Sequence, residues 1–295
     1  LFHNLRKVHS VMSGLFSVTK QKKMRNTYTL YIIYMLLFLS LSSRLHAQKL
    51  TAQRGEVASS YNFWFYNPQS IPDEKAHYPL LIFLHGASLC GKNLDKVKRY
   101  GPISALAKGR CIDSYIVAPQ NPGGAWNPEK IMKIVEWANA YFAVDTTRIY
   151  VYGMSLGGYG TIDFAATYPD KVAAAMAICG GGSVKGLERL SEVPLWIIHG
   201  TADKAVAIKE SDRVAKIIKD SGDDSRLIYT RLNGVDHGKP GRIFYMLQTY
   251  DWLFSHSIKD EGRPVCRDFE MTVPMLNTAY QDLGTNEDYL QNSFE

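Results

Sequence analysis

Short apolar runs bounded by turn residues recur along the chain and alternate with stretches of helical periodicity. The run at residues 80–84, Leu-Leu-Ile-Phe-Leu, has no polar position, which is typical of a strand buried on both faces of a parallel sheet. Apolar residues at helical spacing follow at 128–142, with Asn127 as the expected N-cap. Strands are predicted at 61–66, 80–84, 115–118, 149–152, 172–178, 195–198 and 227–232, and helices at 128–142, 159–168, 208–219 and 243–254. The alternation predicts an α/β protein with a mostly parallel central sheet and helices on both faces.

The two ends of the chain break this alternation. After Met24 one arginine precedes an apolar run, and Ala47 offers a small residue at a cleavage point, as in a secretory signal peptide. The alternative is an uncleaved anchor, because the charge-free stretch 26–43 is barely long enough to span a membrane. We expect a secreted or periplasmic protein without stable membrane association. The expected organisation is an upstream extension at 1–23, a signal peptide at 24–47, a catalytic domain at 48–257 and a peripheral or disordered tail at 258–295.

The charge of the chain gives no case for a nucleic-acid partner once its distribution is considered. The formal net charge is +6, but residues 1–47 hold seven basic residues and no acidic one. The remainder therefore carries 27 of the 34 basic residues against all 28 acidic residues, a net charge of −1. A nearly neutral body does not attract a phosphate backbone, so we expect a small-molecule or oligosaccharide partner.

A candidate nucleophile lies between the predicted strand 149–152 and the predicted helix 159–168. Residues 153–157 read Gly-Met-Ser-Leu-Gly, which fits the G-x-S-x-G motif of a serine on a sharp strand-to-helix turn. The glycines let the backbone fold tightly around Ser155. The pentapeptide alone is weak, since it occurs by chance in many proteins, but the flanking strand and helix agree with it.

A serine nucleophile needs a base and a carboxylate that orients the base, and the motif predicts them later in the chain in the order Asp, then His. Asp203 follows the predicted strand 195–198, and His237 follows the strand 227–232 on a Gly-rich loop. The alternatives are a capping aspartate and a surface histidine. The other candidate acids and histidines are less well placed relative to the strands, namely Asp223, Asp224, Asp236, His85, His199 and His256.

Acyl transfer also requires donors for a developing oxyanion. We expect the backbone N–H groups of Leu156, which follows the nucleophile, and of Ala87, in the loop after the strand 80–84. Trp126 either lines the substrate cleft or is a core tryptophan, and the sequence favours neither.

No metal or cofactor is expected, because the chain has no HExxH, no C-x-x-C and no cluster of His and Cys. The four cysteines are too few for a disulfide framework and are interpreted as small buried apolar residues, at Cys90, Cys111, Cys179 and Cys266.

Taken together, the motifs between residues 61 and 254 resemble the α/β-hydrolase superfamily. They include HGAS at 85–88, IVAPQNP at 116–122, the serine motif, HGTAD at 199–203 and the His237 loop. Within the superfamily the chain is similar to the secreted predicted peptidases or phospholipase/carboxylesterase-like proteins, and to feruloyl and polyhydroxyalkanoate-depolymerase-type esterases. One departure is SLCGKN at 88–93, where the group often has an acidic and Arg-Gly stretch.

The resemblance implies an α/β-hydrolase fold and a cofactor-free serine esterase with Ser155, Asp203 and His237 as its triad. Acyl or feruloyl esters on plant carbohydrate would be plausible substrates. A serine peptidase of the same fold and a catalytically silent member that binds carbohydrate or protein remain the alternatives.

Overall fold

One eight-stranded sheet forms the centre of the protein in a computed structural model, which describes residues 49–68 and 77–283. The strands follow one another across the sheet in the order β1-β2-β4-β3-β5-β6-β7-β8. β1 and β2 pair antiparallel, as do β2 and β4, and every other neighbouring pair is parallel. The strands are β1 Lys49–Gln53, β2 Phe63–Asn67, β3 Tyr78–Leu84, β4 Tyr115–Pro119, β5 Val144–Met154, β6 Ala174–Ile178, β7 Leu195–Gly200 and β8 Leu227–Leu232.

Helices cover both faces of this sheet, as predicted. The α-helices of the described residues are α1 Pro102–Leu106, α2 Pro128–Tyr141, α3 Leu156–Thr167, α4 Lys209–Asp220, α5 Leu247–Phe254 and α6 Val273–Thr278. Consecutive residues of β3 point to opposite faces, so Phe83 packs in one hydrophobic cluster with α1 and α5, while Ile82 packs in a second cluster with α2, α3 and α4. Asn127 caps α2 as expected, because its side chain accepts the N–H of Lys130 at 3.0 Å.

The differences from the predicted elements are local. β1 was not predicted, because its sequence Lys-Leu-Thr-Ala-Gln is polar and it pairs only at the edge of the sheet. The helix predicted at 243–254 is two elements, a 3-10 helix Lys239–Tyr245 and then α5. Among the cysteines only Cys179 is buried, whereas Cys111 is exposed and Cys90 and Cys266 are partly exposed.

Residues 258–283 are part of the hydrophobic core, contrary to the expected peripheral or disordered tail. Leu276 of α6 is fully buried, and Val265 and Met271 are also buried in the cluster that contains α5. Arg110 ties the segment to the body, since it forms an ion pair with Asp282 at 2.8 Å. Position 257 is therefore no boundary of the folded body.

The predicted upstream extension and signal peptide, at 1–47, lie outside the described residues, as do residues 284–295. Among the residues that the structure does describe, no helix is both long enough and apolar enough to cross a membrane.

Candidate active site

Ser155 occupies a strained turn between β5 and α3, as the motif predicts. β5 ends at Met154 and α3 begins at Leu156, which leaves Ser155 with φ 60° and ψ −122°. Such a conformation is unfavourable for a residue with a Cβ and costs about 1–3 kcal/mol, so the surrounding contacts must hold it. One contact is the N–H of Ser155, which donates to the carbonyl oxygen of Ile178 in β6 at 2.9 Å.

The two loops predicted to supply a base and an acid meet in space. His237 Nδ1 donates to Asp203 Oδ2 at 2.6 Å, and the side chain of Asp203 has no solvent exposure. The other oxygen of Asp203 accepts the N–H groups of Ala205 at 2.8 Å and Val206 at 2.9 Å. Burial alone would raise the pKa of Asp203, but these hydrogen bonds outweigh it and hold the pKa below its ordinary value. The carboxylate is therefore ionised and fixed in place at neutral pH.

A second histidine contacts the same carboxylate, which the sequence did not reveal. His199 Nε2 lies 3.2 Å from Asp203 Oδ2 and 3.0 Å from the carbonyl oxygen of Val206. Because both neighbours are acceptors, the proton of the ring belongs on Nε2, from which it donates to them. Burial lowers the pKa of His199, so the ring is neutral at pH 7. His199 and His237 therefore both contact the Oδ2 atom of Asp203.

Ser155 and His237 open into one cavity of about 590 Å³. Its walls come from five parts of the chain: the segment between β3 and α1, the turn around Ser155, the loop after β7, the segment 237–245 and the segment that follows α6. The lining residues include Ala87, Tyr100, Met154, Ser155, Ala205, His237, Gly241, Arg242, Tyr245 and Tyr280. A cavity of this size accommodates a small molecule or one end of a larger one.

Of the two expected oxyanion donors, Ala87 lines this cavity, and Leu156 directly follows the cavity residue Ser155. Leu156 is the first residue of α3, where a backbone N–H has no acceptor within the helix. Ala87 lines the cavity and begins a short 3-10 helix Ala87–Leu89. Their role as oxyanion donors stays a prediction.

Three side chains fix the loop that presents Ala87. Tyr100 accepts the N–H of Gly86 at 2.5 Å, and the indole N–H of Trp126 donates to the carbonyl oxygen of His85 at 3.2 Å. These two groups belong to one peptide unit, which is therefore held at both ends.

The following peptide unit is held by the ring of His85. His85 Nε2 accepts the N–H of Asn121 at 3.0 Å, so its proton lies on Nδ1, 2.8 Å from the carbonyl oxygen of Gly86. Because that oxygen and the N–H of Ala87 point in opposite directions from the same planar unit, the bond from His85 fixes the direction of the Ala87 N–H.

Trp126 is not among the residues that line the cavity. Of the two roles that the sequence left open, a cleft residue or a core tryptophan, its burial supports the second. Its side chain is 3% exposed and packs edge-on against the rings of Tyr61 and His85, with centroids 5.1 Å and 5.0 Å away. Its hydrogen bond to the carbonyl oxygen of His85 supports the loop.

One group of potential metal ligands occurs in the described chain, and it coincides with the acid and base. Cys179, Asp203 and His237 have ligand atoms within 4.8 Å of one another. Burial, reinforced by the nearby carboxylate of Asp203, raises the pKa of the Cys179 thiol to about 12, and a protonated thiol is a poor ligand. The hydrogen bond to His237 also occupies the nearest imidazole nitrogen. The chemistry of this group fits a hydrogen-bonded acid and base better than a metal site.

The competing residues from the sequence have other partners. Asp223 pairs with Arg226 at 2.7 Å, and Asp236 accepts the N–H groups at the start of the 3-10 helix Lys239–Tyr245. His256 is buried between the carbonyl oxygen of Trp252 and a backbone N–H.

Comparisons of sequence connect the chain with esterases over part of its length. No family model matches it. It is 28% identical over 158 residues to poly(3-hydroxyalkanoate) depolymerase C of Paucimonas lemoignei, covering 48% of this chain and 36% of that protein. It is 25% identical over 195 residues to a bifunctional acetylxylan esterase/xylanase of Neocallimastix patriciarum, covering 63% of this chain and 28% of that protein. The chain thus spans about a third of the length of these relatives.

Comparisons of structure agree on the fold. The crystal structure of a thermostable esterase matches with a TM-score of 0.57 at 24% identity, covering 72% of this chain and 64% of the other. A ferulic acid esterase matches with a TM-score of 0.53 at 13% identity, covering 70% and 96%. The predicted α/β-hydrolase fold and the predicted resemblance to this superfamily are confirmed.

Proposed function

We propose that this protein is a serine esterase that cleaves carboxylic esters through an acyl-enzyme. The observation that carries the proposal is the 2.6 Å hydrogen bond between His237 and the buried Asp203, beside a cavity that His237 shares with the strained Ser155. The names of the relatives support the ester class, since they are a poly(3-hydroxyalkanoate) depolymerase and acetylxylan esterases.

In the proposed mechanism Ser155 attacks the ester carbonyl carbon while His237 Nε2 takes the hydroxyl proton. The negative oxygen of the tetrahedral intermediate accepts the N–H groups of Ala87 and Leu156. His237 then returns the proton to the leaving alcohol as the C–O bond breaks, which leaves the acyl group on Ser155. A water molecule, deprotonated by His237, releases the acid and regenerates the serine. Asp203 keeps the proton of the imidazole on Nδ1 and stabilises the imidazolium in each step.

We further propose acyl or aromatic-acid esters on plant carbohydrate as the substrates, and export through a signal peptide at 24–47. Support for the carbohydrate comes from the acetylxylan esterases among the relatives. Support for export comes from the sequence of residues 24–47 alone, and the N-terminus of exported protein would reveal cleavage after Ala47.

The test is the exchange Ser155→Ala in the purified protein. We expect hydrolysis of p-nitrophenyl acetate to fall at least about 1,000-fold and labelling by a fluorophosphonate probe to disappear, because both require the serine oxygen. Thermal stability should not decrease, since the replacement removes only the hydroxyl group. Ser191→Ala serves as the control, because this serine lies on the 3-10 helix Leu187–Glu192 and does not line the cavity.

A wild-type protein that neither hydrolyses the ester nor reacts with the probe would contradict the proposal. Retained activity in Ser155→Ala would show that another group is the nucleophile. A panel of acetylated and feruloylated oligosaccharides beside peptides then separates an esterase from a peptidase of the same fold.

A further inference from the structure

The cavity at Ser155 has one positively charged side chain in its lining. Among the lining residues that the structure describes, Arg242 alone carries a permanent charge. Three tyrosines share the walls with it, namely Tyr100, Tyr245 and Tyr280. A guanidinium group can stack on an aromatic ring and still pair with a carboxylate through its planar fork of N–H donors.

The backbone of Arg242 lies near the candidate nucleophile, Ser155. It lies on the 3-10 helix Lys239–Tyr245, five residues after His237, and its neighbour Gly241 packs against the residue before the serine. A Cβ built on Gly241 would lie 3.2 Å from the sulfur atom of Met154. The backbone of Arg242 therefore lies at the same wall of the cavity as Ser155. Because both residues line this cavity, one small molecule can contact both side chains.

The guanidinium has few partners within the protein. Its Nη1 donates to the carbonyl oxygen of Leu276 at 3.3 Å, and its central carbon lies 5.7 Å from the centre of the Tyr280 ring. Within the part of the chain that the structure describes, no carboxylate forms an ion pair with it. Arg110 differs, because it is buried and donates both to the carbonyl oxygen of Tyr245 and to the carboxylate of Asp282. Since a guanidinium has five N–H donors, Arg242 retains donors for a ligand.

We propose that the cavity takes esters that carry a carboxylate group away from the ester bond, and that Arg242 binds this carboxylate. This inference rests on the proposed function, because it describes the substrate of the same site. A carboxylate matches the fork of a guanidinium and can accept two parallel hydrogen bonds from it. The tyrosine rings would contact the apolar or aromatic part between the carboxylate and the ester.

The test compares pairs of esters that differ only in a carboxylate and its neutral isostere, a carboxamide. For a carboxylate on the alcohol side the pair is 4-carboxyphenyl acetate and 4-carbamoylphenyl acetate. For the acyl side it is methyl (4-carboxyphenyl)acetate and methyl (4-carbamoylphenyl)acetate. We expect wild-type kcat/KM to favour the carboxylate by about 10-fold or more in one of the two pairs, which also identifies the side that faces Arg242.

In Arg242→Gln this preference should fall to about one, and Arg242→Lys should keep part of it, because lysine retains the charge but not the fork. Arg189→Gln is the matched control: this arginine lies on the 3-10 helix Leu187–Glu192, is not a cavity residue, and its loss changes the net charge equally. The control should leave the wild-type preference unchanged.

Two outcomes would overturn the inference. One is a wild-type protein that hydrolyses the carboxylate and carboxamide esters equally in both pairs. The other is a preference that survives intact in Arg242→Gln. Both differ from failure of the proposed function, in which neither member of any pair nor p-nitrophenyl acetate would be hydrolysed.

Discussion

The peptide units next to Gly86 are held by hydrogen bonds from three side chains, and this rigidity bears directly on the proposed oxyanion site. The N–H of Ala87 can stabilise a transition state only if its direction is set before the substrate arrives, since reorienting it during the reaction would consume part of the gain. Tyr100, which lines the cavity, and the buried Trp126 and His85 supply that constraint. At the scale of single residues, the site thus depends on side chains that never touch the reacting atoms.

Tyr100→Phe tests this dependence with the loss of one oxygen atom. The exchange leaves the N–H of Gly86 without its acceptor, so we expect the loop to relax and kcat for p-nitrophenyl acetate to fall about 10-fold, with KM nearly unchanged. Tyr141→Phe is the control, because that side chain is 69% exposed. An unaltered kcat, or a rise in KM alone, would argue against a positioning role for Tyr100.

The positions of the proposed triad follow from patterns in the sequence, whereas the residues that contact and support it do not. Ser155, Asp203 and His237 each follow a strand that is visible as an apolar run, and parallel strands bring their carboxyl ends to one edge. The roles of Tyr100 and His199 depend instead on contacts with Gly86 and Asp203, which no local pattern encodes. Trp126 stayed ambiguous for the same reason, since its position in the chain is compatible with either side of the loop.

At the scale of elements, the close crossing of β3 by the start of α3 determines where the serine lies. A Cβ on Gly157 would overlap the carbonyl oxygen of Leu84, the last residue of β3. The helix can therefore approach the strand this closely only with glycine at that position. The apolar runs of the sequence predict both β3 and β5. Only the structure shows how closely the start of α3 approaches β3.

Gly157→Ala should accordingly destabilise the protein by about 3 kcal/mol or more, because neither a strand backbone nor a helix end can move aside cheaply. The midpoint of urea unfolding measures the effect. Gly238→Ala is the matched control: its φ of −79° and ψ of −37° suit alanine, and the nearest atom to a Cβ there is 3.9 Å away. Equal midpoints for the two variants would contradict the steric reason given for Gly157.

At the scale of the whole molecule, part of the cavity wall comes from the segment 258–283, which the sequence predicts to belong to a peripheral or disordered tail. The apolar residues of 258–283 occur singly or in short groups, the longest at 273–276, so neither strand nor helix periodicity distinguishes the segment from an extension. They nevertheless fill the core beside α5, and Tyr280 of the same segment lines the cavity. Long-range packing of this kind follows from the completed sheet, which is why the sequence predicted the body of the fold but not this segment.

The buried histidines give the whole molecule a characteristic response to acid. Burial lowers the pKa of His85 to about 4 and also lowers the pKa values of His199 and His256. Below pH 6.5 the unfolded chain binds protons at these positions while the folded protein does not, so the free energy of unfolding decreases as the pH falls toward the folded-state values. The stabilisation is complete above about pH 7 and diminishes between pH 6.5 and pH 4.

We expect the free energy of unfolding, measured by urea titration between pH 7 and pH 5, to decrease with a slope that corresponds to an uptake of one to three protons. Each proton contributes about 1.4 kcal/mol per pH unit, so His85 alone accounts for about 2 kcal/mol over this interval. His85→Gln should reduce the slope by close to one proton whatever its effect on stability at pH 7, since glutamine does not titrate. A flat profile in the wild-type protein would mean that these histidines are protonated in the fold, and the hydrogen-bond directions given for His85 would then be wrong.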